Sequence, residues 1–495
     1  MLACGDTGVN IGVCGGSGVV FVNSDVFSAD WSTISYMRYL FALLLILLLA
    51  AGGAYVVAGR QGGPLIEIAK PEKFVGMSTP LEVTIGAPAA NLKTIKIVFE
   101  QNGKQTTLYA ADKGPVAGEG VKLDGPDKLR ITRTVGKDTV PDLKTGPARI
   151  LVTASRPVMR GLRTLESTAS RDVKVRLERP QVSIVSSKHY INLGGAEMAV
   201  YRAAPADVTS GVVVGDVEYP GYPASGASTI EGVKLDDPAL RIAFFALLYD
   251  QDLKTPIRLF ARDEAGNTGR ADFDYTTFPK PFKNSRIELD DKFLDRVVPA
   301  ILAGTTEVKP DGDNLAKFLV INGDLRRKNA EKITSFARQS APEILWRGVV
   351  FHPFTNNAVE SAFADRRTYM YKGKQVDQQT HLGFDLASFT GMKVLAANRG
   401  KVVLAEELGI YGNCVILDHG MGVQSLYGHL SSIGVKAGDM VEKEQELGRS
   451  GMTGLAGGDH LHFTMLVNGH MVNPVEWWDQ HWIQDRILRK LKGGS

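Results

Sequence analysis

The alternation of apolar and polar positions divides the chain into stretches of different period. Residues 1–36 are rich in Gly, Val and Ser and carry no Lys or Arg, and residues 39–59 then run without any charge. That run reaches the ~20 residues that a bilayer-spanning helix needs. Met37-Arg38 just before it has the form of a start with a short basic flank, so residues 1–36 are expected to be a leader outside the natural product. Residues 37–60 read as a transmembrane anchor or a signal segment. The length and the lack of a small-x-small site before Arg60 favour an anchor. Arg38 on the inner side follows the positive-inside rule, which puts everything after Arg60 outside the cytoplasm. The expected location is the cell membrane, single-pass, with the C-terminal domains in the periplasm or outside the cell.

From about 65 to 280 the period is two. LEVTI (81–85), TIKIVF (94–99), RILVTA (149–154) and DVKVRLE (172–178) alternate and are broken by Gly, Pro, Asn and Asp, as short strands are. An internal repeat runs through them. Gly120-Val-Lys-Leu-Asp124 recurs as Gly232-Val-Lys-Leu-Asp236, Leu129-Arg-Ile131 as Leu240-Arg-Ile242, and Asp142-Leu-Lys-Thr145 as Asp252-Leu-Lys-Thr255. The order and near-constant offset predict two tandem β-sandwich domains, 65–178 and 180–280. The phrase RLFARDEAGNTGRADFDY resembles the closing hairpin of bacterial immunoglobulin-like domains. No residue cluster in either half marks a ligand site, so spacer modules are expected.

At 281–340 the period becomes helical. Asp290 or Asp291 can cap a helix burying Phe293, Leu294, Val297, Val298, Ile301 and Leu302. This segment reads as a helical connector, either a packing bracket or a cover over the C-terminal domain. From 341 to 480 short strands and glycines return, the end reads as a helix with Trp477, Trp478 and Trp482, and 481–495 reads as a basic tail. The fold class is thus mostly β: two immunoglobulin-like sandwiches, a helical connector and a C-terminal antiparallel β domain, behind one transmembrane helix.

A chain of 495 residues has ample length for several cores. Its net charge of +3 is spread out, whereas a nucleic-acid partner needs a concentrated basic face, so none is expected. The three cysteines, Cys4, Cys14 and Cys414, make no disulfide framework. VKAGDMVEKEQELG (435–448) resembles the turns of lipoyl-type carrier barrels, but no lysine sits in a matching hairpin.

Seven of the nine histidines fall between His381 and His481, a concentration that scattered surface residues would not give. His460 and His462 stand two apart in an apolar run, so on a strand they face one side. His381 and Asp385 stand four apart, which also preserves side, and His429 follows Tyr427-Gly428. Zinc takes His nitrogen and carboxylate oxygen, and a catalytic site keeps a position open for water. His381, Asp385 and one of the HxH pair supply three ligands. The remaining two histidines can serve as general base and as partner to the developing oxyanion. HExxH, G-x-S-x-G and GxxxxGK[ST] are absent, and Cys414 alternates with strand residues as core.

The motifs of the last domain together resemble the M23 (lysostaphin/LytM-type) zinc metallopeptidases, which cut peptide bonds in bacterial cell-wall peptidoglycan. Ser361-Ala-Phe363-Ala-Asp-Arg366 resembles S-x-F-G-x-R, with Ala364 in place of glycine. His381-Leu-Gly-Phe-Asp385 matches HxGxD, Tyr427-Gly-His429-Leu430-Ser431 matches YxHLS, and Ser450-Gly451-Met452-Thr453-Gly454 matches SGxTG. His460-Leu-His462-Phe463 and Asn473-Pro474 match HLHF and the closing NP. The resemblance covers roughly 341–478. It implies one zinc ion per chain on His381, Asp385 and His462, with His429 and His460 as the catalytic pair. It implies peptidoglycan as the partner, cleaved in its stem or crosslink peptides. The usual G-P-H-L-H-F-E reads Gly458-Asp459-His460-Leu-His462-Phe463-Thr464 here, a departure at no ligand position. The alternatives are a non-catalytic LytM-type activator of another wall hydrolase and a zinc peptidase acting on a protein. Upstream segments cover the zinc groove in some relatives, so an intramolecular cover by the connector or second sandwich is also expected.

Overall fold

The structure, a computed structural model, describes residues 31–60, 62–112, 119–161, 163–347, 349–354, 358–387 and 389–493. Most of the expected leader, residues 1–30, lies outside the described residues. One helix, Trp31–Arg60, contains the apolar stretch Tyr36–Val57, long and apolar enough to cross a membrane.

The next strands form two sheets packed around a core of their own, in which Val75, Leu81, Ile97, Ile131, Ile150, Val152 and Val175 are fully buried. One sheet runs Leu65–Lys70, Thr79–Gly86, Lys128–Val135, Val121–Leu123. The other runs Phe74–Val75, Arg163–Val175, Gly146–Val158, Thr94–Gln101, Lys104–Ala111. The second β segment follows the same plan. Gln181–Ile184, Ala196–Ala204, Leu240–Ala246 and Tyr222–Pro223 face Val217–Pro220, Thr209–Val214, Ile257–Arg262 and Thr268–Asp272. The sequence repeat maps onto this plan at two of its three points. Leu129-Arg-Ile131 and Leu240-Arg-Ile242 lie at the starts of equivalent strands, and both DLKT phrases precede the next long strand. The GVKLD phrase differs: a strand at Val121–Leu123, irregular chain at 232–236. The mostly β character is as expected.

Asp290 caps the helix Asp291–Gly304 by accepting from the Phe293 amide, at 2.7 Å. That helix buries Leu294, Val297, Val298 and Ile301 at helical spacing. Two further helices, Asn314–Val320 and Arg326–Ala337, are joined by a π-turn, Ile321–Leu325.

After the connector an antiparallel sheet dominates. Its order is Ala358–Ser361, Phe384–Ala387, Leu461–Val467, Val423–Leu430, Asn413–Asp418, Gly400–Glu407, Met440–Val441, with His470–Val472 also on Leu461–Val467. Beside it Asn284–Leu289 pairs in parallel with Asp365–Tyr371, which pairs antiparallel with Lys374–His381. The second β segment, the connector and this last region share one continuous core, from Ile191 to Leu491.

Helical structure extends into the segment expected as a basic tail. Residues 480–491 form helical turns that bury Ile483, Ile487, Leu488 and Leu491. Lys490 is buried too, and its Nζ meets Glu197 Oε1 at 2.7 Å and the Met198 carbonyl at 3.0 Å. The apolar residues recur at helical spacing, so the segment docks by one face.

Candidate active site

Strand register assembles the cluster. Asp385 pairs directly with His462, and on the other side of His462 stands Gly428. Directly paired residues on one face bring their side chains together. His381 ends its own strand opposite Asp365, and the bend at Leu382-Gly383 turns the chain into Phe384–Ala387. The HxxxD pair therefore meets across a bend between two sheets, not by parity along one strand.

His381 Nε2 lies 2.9 Å from Asp385 Oδ1 and 3.0 Å from His462 Nδ1, and His462 Nδ1 lies 3.1 Å from Asp385 Oδ1. The three form a nearly equilateral triangle. Tetrahedral zinc, with bonds of 2.0–2.1 Å, separates its ligand atoms by roughly 3.3 Å. The donor set and the spacing therefore fit a zinc ion, which His381, Asp385 and His462 would hold. His381 Nδ1 faces the Ala362 carbonyl at 3.2 Å, which fixes the ring proton there and leaves the Nε2 lone pair for the triangle. His462 Nε2 is buried without a partner and rests against Gly383. A Cβ on Gly383 would come within 2.5 Å of that nitrogen.

Two more imidazoles face the triangle. His429 Nδ1 donates to the Thr453 carbonyl at 2.8 Å, and His460 Nδ1 donates to the Gly458 carbonyl at 2.9 Å. Both rings therefore turn Nε2 inward. Their centroids are 4.8 Å apart, and His460 Nε2 is 3.4 Å from Asp385 Oδ1. His429 sits inside its strand at φ 64°, where the register slips between Asn413 and Val415. A non-glycine residue in the left-handed region costs of order 1–3 kcal/mol and persists only where its surroundings impose it. The bulge re-aims the imidazole toward the cluster. All five residues are at most 8% exposed.

Burial raises the Asp385 carboxyl, but the imidazoles around it, His381 first, outweigh this and hold it well below the usual carboxylate range. Burial pushes His429 well below the ordinary imidazole value and takes His462 down to about 4. Burial also lowers His460, yet the hydrogen bond to Asp385 reverses the sign and leaves it raised.

The sequence motif points to Arg366, but Arg367 serves the site. Its Nη2 donates to Asp385 Oδ2 and to Ser361 Oγ, each at 2.8 Å. Asp365 stands behind it, with Oδ2 3.7 Å from Arg367 Nε and accepting from Ser285 Oγ at 2.7 Å. Ala364, in place of the family glycine, holds the left-handed φ of 60° itself. The remaining histidines do other work. His419 is locked between the Arg399 carbonyl and Ser425 Oγ, both at 2.7 Å, and His481 is exposed.

The cleft over the cluster measures about 610 Å³. Its walls come from the last region (Tyr411, Leu455, Met471) and from the connector (Phe293, Arg326, Ala330).

Residues 379–474 match the description "Peptidase family M23". An uncharacterized metalloprotease of Haemophilus influenzae is 36% identical over 135 residues, 27% of this chain and 28% of that protein. The peptidoglycan DD-endopeptidase ShyA of Vibrio cholerae is 28% identical over 180 residues, 35% of this chain and 39% of that protein. A solved catalytic domain of the prophage-encoded M23 protein EnpA of Enterococcus faecalis is 30% identical. The match covers 25% of this chain and 95% of that one, with a TM-score of 0.21. The chain spans less than half the length of the two curated relatives. The family match runs from just before His381 to Pro474 and contains all five clustered side chains, so residues 379–474 are a peptidase family M23 domain.

Proposed function

We propose that this protein is a zinc-dependent endopeptidase that hydrolyses peptide bonds in the stem or crosslink peptides of bacterial peptidoglycan. The observation that carries the reading is the triangle of His381, Asp385 and His462 with two further imidazoles aimed at it. Zinc held there supplies Lewis acidity to a water and to the scissile carbonyl. His429, its Nδ1 proton committed to Thr453, keeps an Nε2 lone pair free to accept the proton of the attacking water. His460, its Nδ1 committed to Gly458, turns Nε2 to the triangle and, when protonated, donates from it to the oxygen on which charge develops. Arg367 holds Asp385 in place.

On this reading the apolar helix anchors the chain in the cell membrane with the rest outside the cytoplasm, and the two β segments are immunoglobulin-like spacers. The connector walls the cleft and serves as an intramolecular cover. Incubation of the protein with purified sacculi, followed by mass analysis of released fragments, tests the proposal. Release of peptide-cleaved fragments that stops with a zinc chelator is expected. No release alone, but faster release by an added amidase, would replace the reading with that of an activator.

A further inference from the structure

The cleft contains a cation that the catalytic cluster does not use. Arg326 comes from the connector, outside the M23 match, and lines the same cleft as His381, Asp385, His429, His460 and His462. Its guanidinium makes two hydrogen bonds, both to Asn322. Nε donates to the main-chain carbonyl at 3.1 Å and Nη2 donates to Oδ1 at 2.6 Å. Among the described residues no carboxylate lies within ion-pairing distance of it. Of the other cationic groups at the cleft, Arg367 is committed to Asp385, Arg286 is paired with Glu288, and Lys283 is an exposed ammonium without the planar fork.

The support behind Arg326 is built. Asn322 is fully buried and held at both ends: its Nδ2 donates to Asp377 Oδ2 at 2.7 Å while its Oδ1 accepts from Arg326. Asp377, the nearest acid in this chain of contacts, is occupied by Asn322 and by the Gln378 amide at 2.7 Å. Asn322 lies in the π-turn Ile321–Leu325. A π-turn skips the regular i→i+4 bonding, and such turns recur at functional sites. Here the Asn322 carbonyl accepts from the Arg326 side chain. The result is a planar, permanently charged fork, fixed on one edge and open on the other, beside a hydrolytic cluster. Guanidinium forks bind carboxylates in two-pronged fashion.

We infer that Arg326 is a substrate-binding residue that anchors a free carboxylate of the peptide on the connector side of the cleft, so that the enzyme selects acidic over amidated peptides. This rests on the proposed peptidoglycan endopeptidase activity and names a chemical requirement of its substrate.

The test uses the full chain in detergent and two probes. One is a crosslinked stem peptide isolated from sacculi with its carboxylates free, and the other is the same peptide with them amidated. The wild type is expected to cleave the free acid with a KM roughly 10- to 100-fold below that of the amide, the value of a hydrogen bond to a charged group. Arg326→Gln should raise KM for the free acid to the amide's value, with kcat within about twofold and no change for the amide. Arg326→Lys, which keeps the charge and loses the fork, should fall between them. Circular dichroism and a melting curve of each variant show whether the fold is kept. Equal KM for both peptides in wild type and variants overturns the inference and leaves the endopeptidase reading standing. Cleavage of neither peptide by the wild type overturns both.

Discussion

Gly383 has no room for a side chain, because any Cβ there would strike the His462 ring at 2.5 Å. Gly383→Ala should therefore move a proposed ligand while leaving the core intact. Metal affinity should weaken by roughly 10- to 100-fold, the cost usual for disturbing what orients a ligand. Competition titration against a colorimetric chelator measures it, and unchanged affinity would show that His462 is not a ligand. Removing either inward-facing imidazole is a different experiment. His429→Ala and His460→Ala leave the triangle whole, so metal content should persist while turnover on sacculi falls about 10²–10⁴-fold. Either variant digesting sacculi at the parental rate removes that residue from the mechanism. The five clustered residues are legible in the sequence because their spacing and motifs carry them. Arg367 is not, since the motif sets its arginine at Arg366. Strand parity corrects this, because Asp365 and Arg367 share one face of Asp365–Tyr371 and Arg366 takes the other. The Thr453 and Gly458 carbonyls that fix the two tautomers are main-chain groups, invisible to any reading of residue types.

At the level of elements, the connector is both wall and structural member. Leu294, Val298, Phe318, Ile321 and Ile333 lie in the same core as the peptidase strands. It is too deeply packed to swing away, so a cover must open by a smaller displacement. Arg296 offers a contact on which to test this. Its Nη2 donates to the Ala456 carbonyl at 2.8 Å and ties the connector to the glycine-rich segment that leads to His460. If the connector restrains the cleft, Arg296→Ala should digest sacculi several-fold faster at equal zinc loading, since a closed state favoured by a few kcal/mol leaves only about 0.1–10% open. An unchanged rate would make the connector a wall alone. The helix at Asp291–Gly304 is legible from its cap and spacing. The docking of 480–491 is harder to see, because Arg486, Arg489 and Lys490 mask the helical spacing of Ile483, Ile487 and Leu491.

Across the whole molecule, buried polar groups join the second β segment to the peptidase region. The Glu476 carboxylate accepts from Asn192 Nδ2 and from the Ala196 amide, both at 2.8 Å. Burial pushes its carboxyl up from 4.5 to about 7. The folded protein thus holds this proton where the unfolded chain has released it. The associated stability is complete below about 4.5 and is lost as pH rises through about 7. Glu476→Gln has no such proton, so its melting temperature should fall less than the wild type's between pH 5 and pH 8 in scanning calorimetry. Equal falls would remove Glu476 as the cause. The sequence repeat makes the shared strand order of the two β segments legible, but not their different packing. The first closes on its own core, while the second merges with everything after it. Among the described residues, polar contacts between the two include Thr79 to the Ala265 carbonyl at 3.1 Å, Asn267 to the Arg176 carbonyl at 2.8 Å, and Arg176 to Asp207 at 2.9 Å. The two copies are therefore unequal as building material. An extra copy of the first could be spliced in ahead of it and leave the cleft untouched, whereas excising the second would cut into the core that the M23 domain shares.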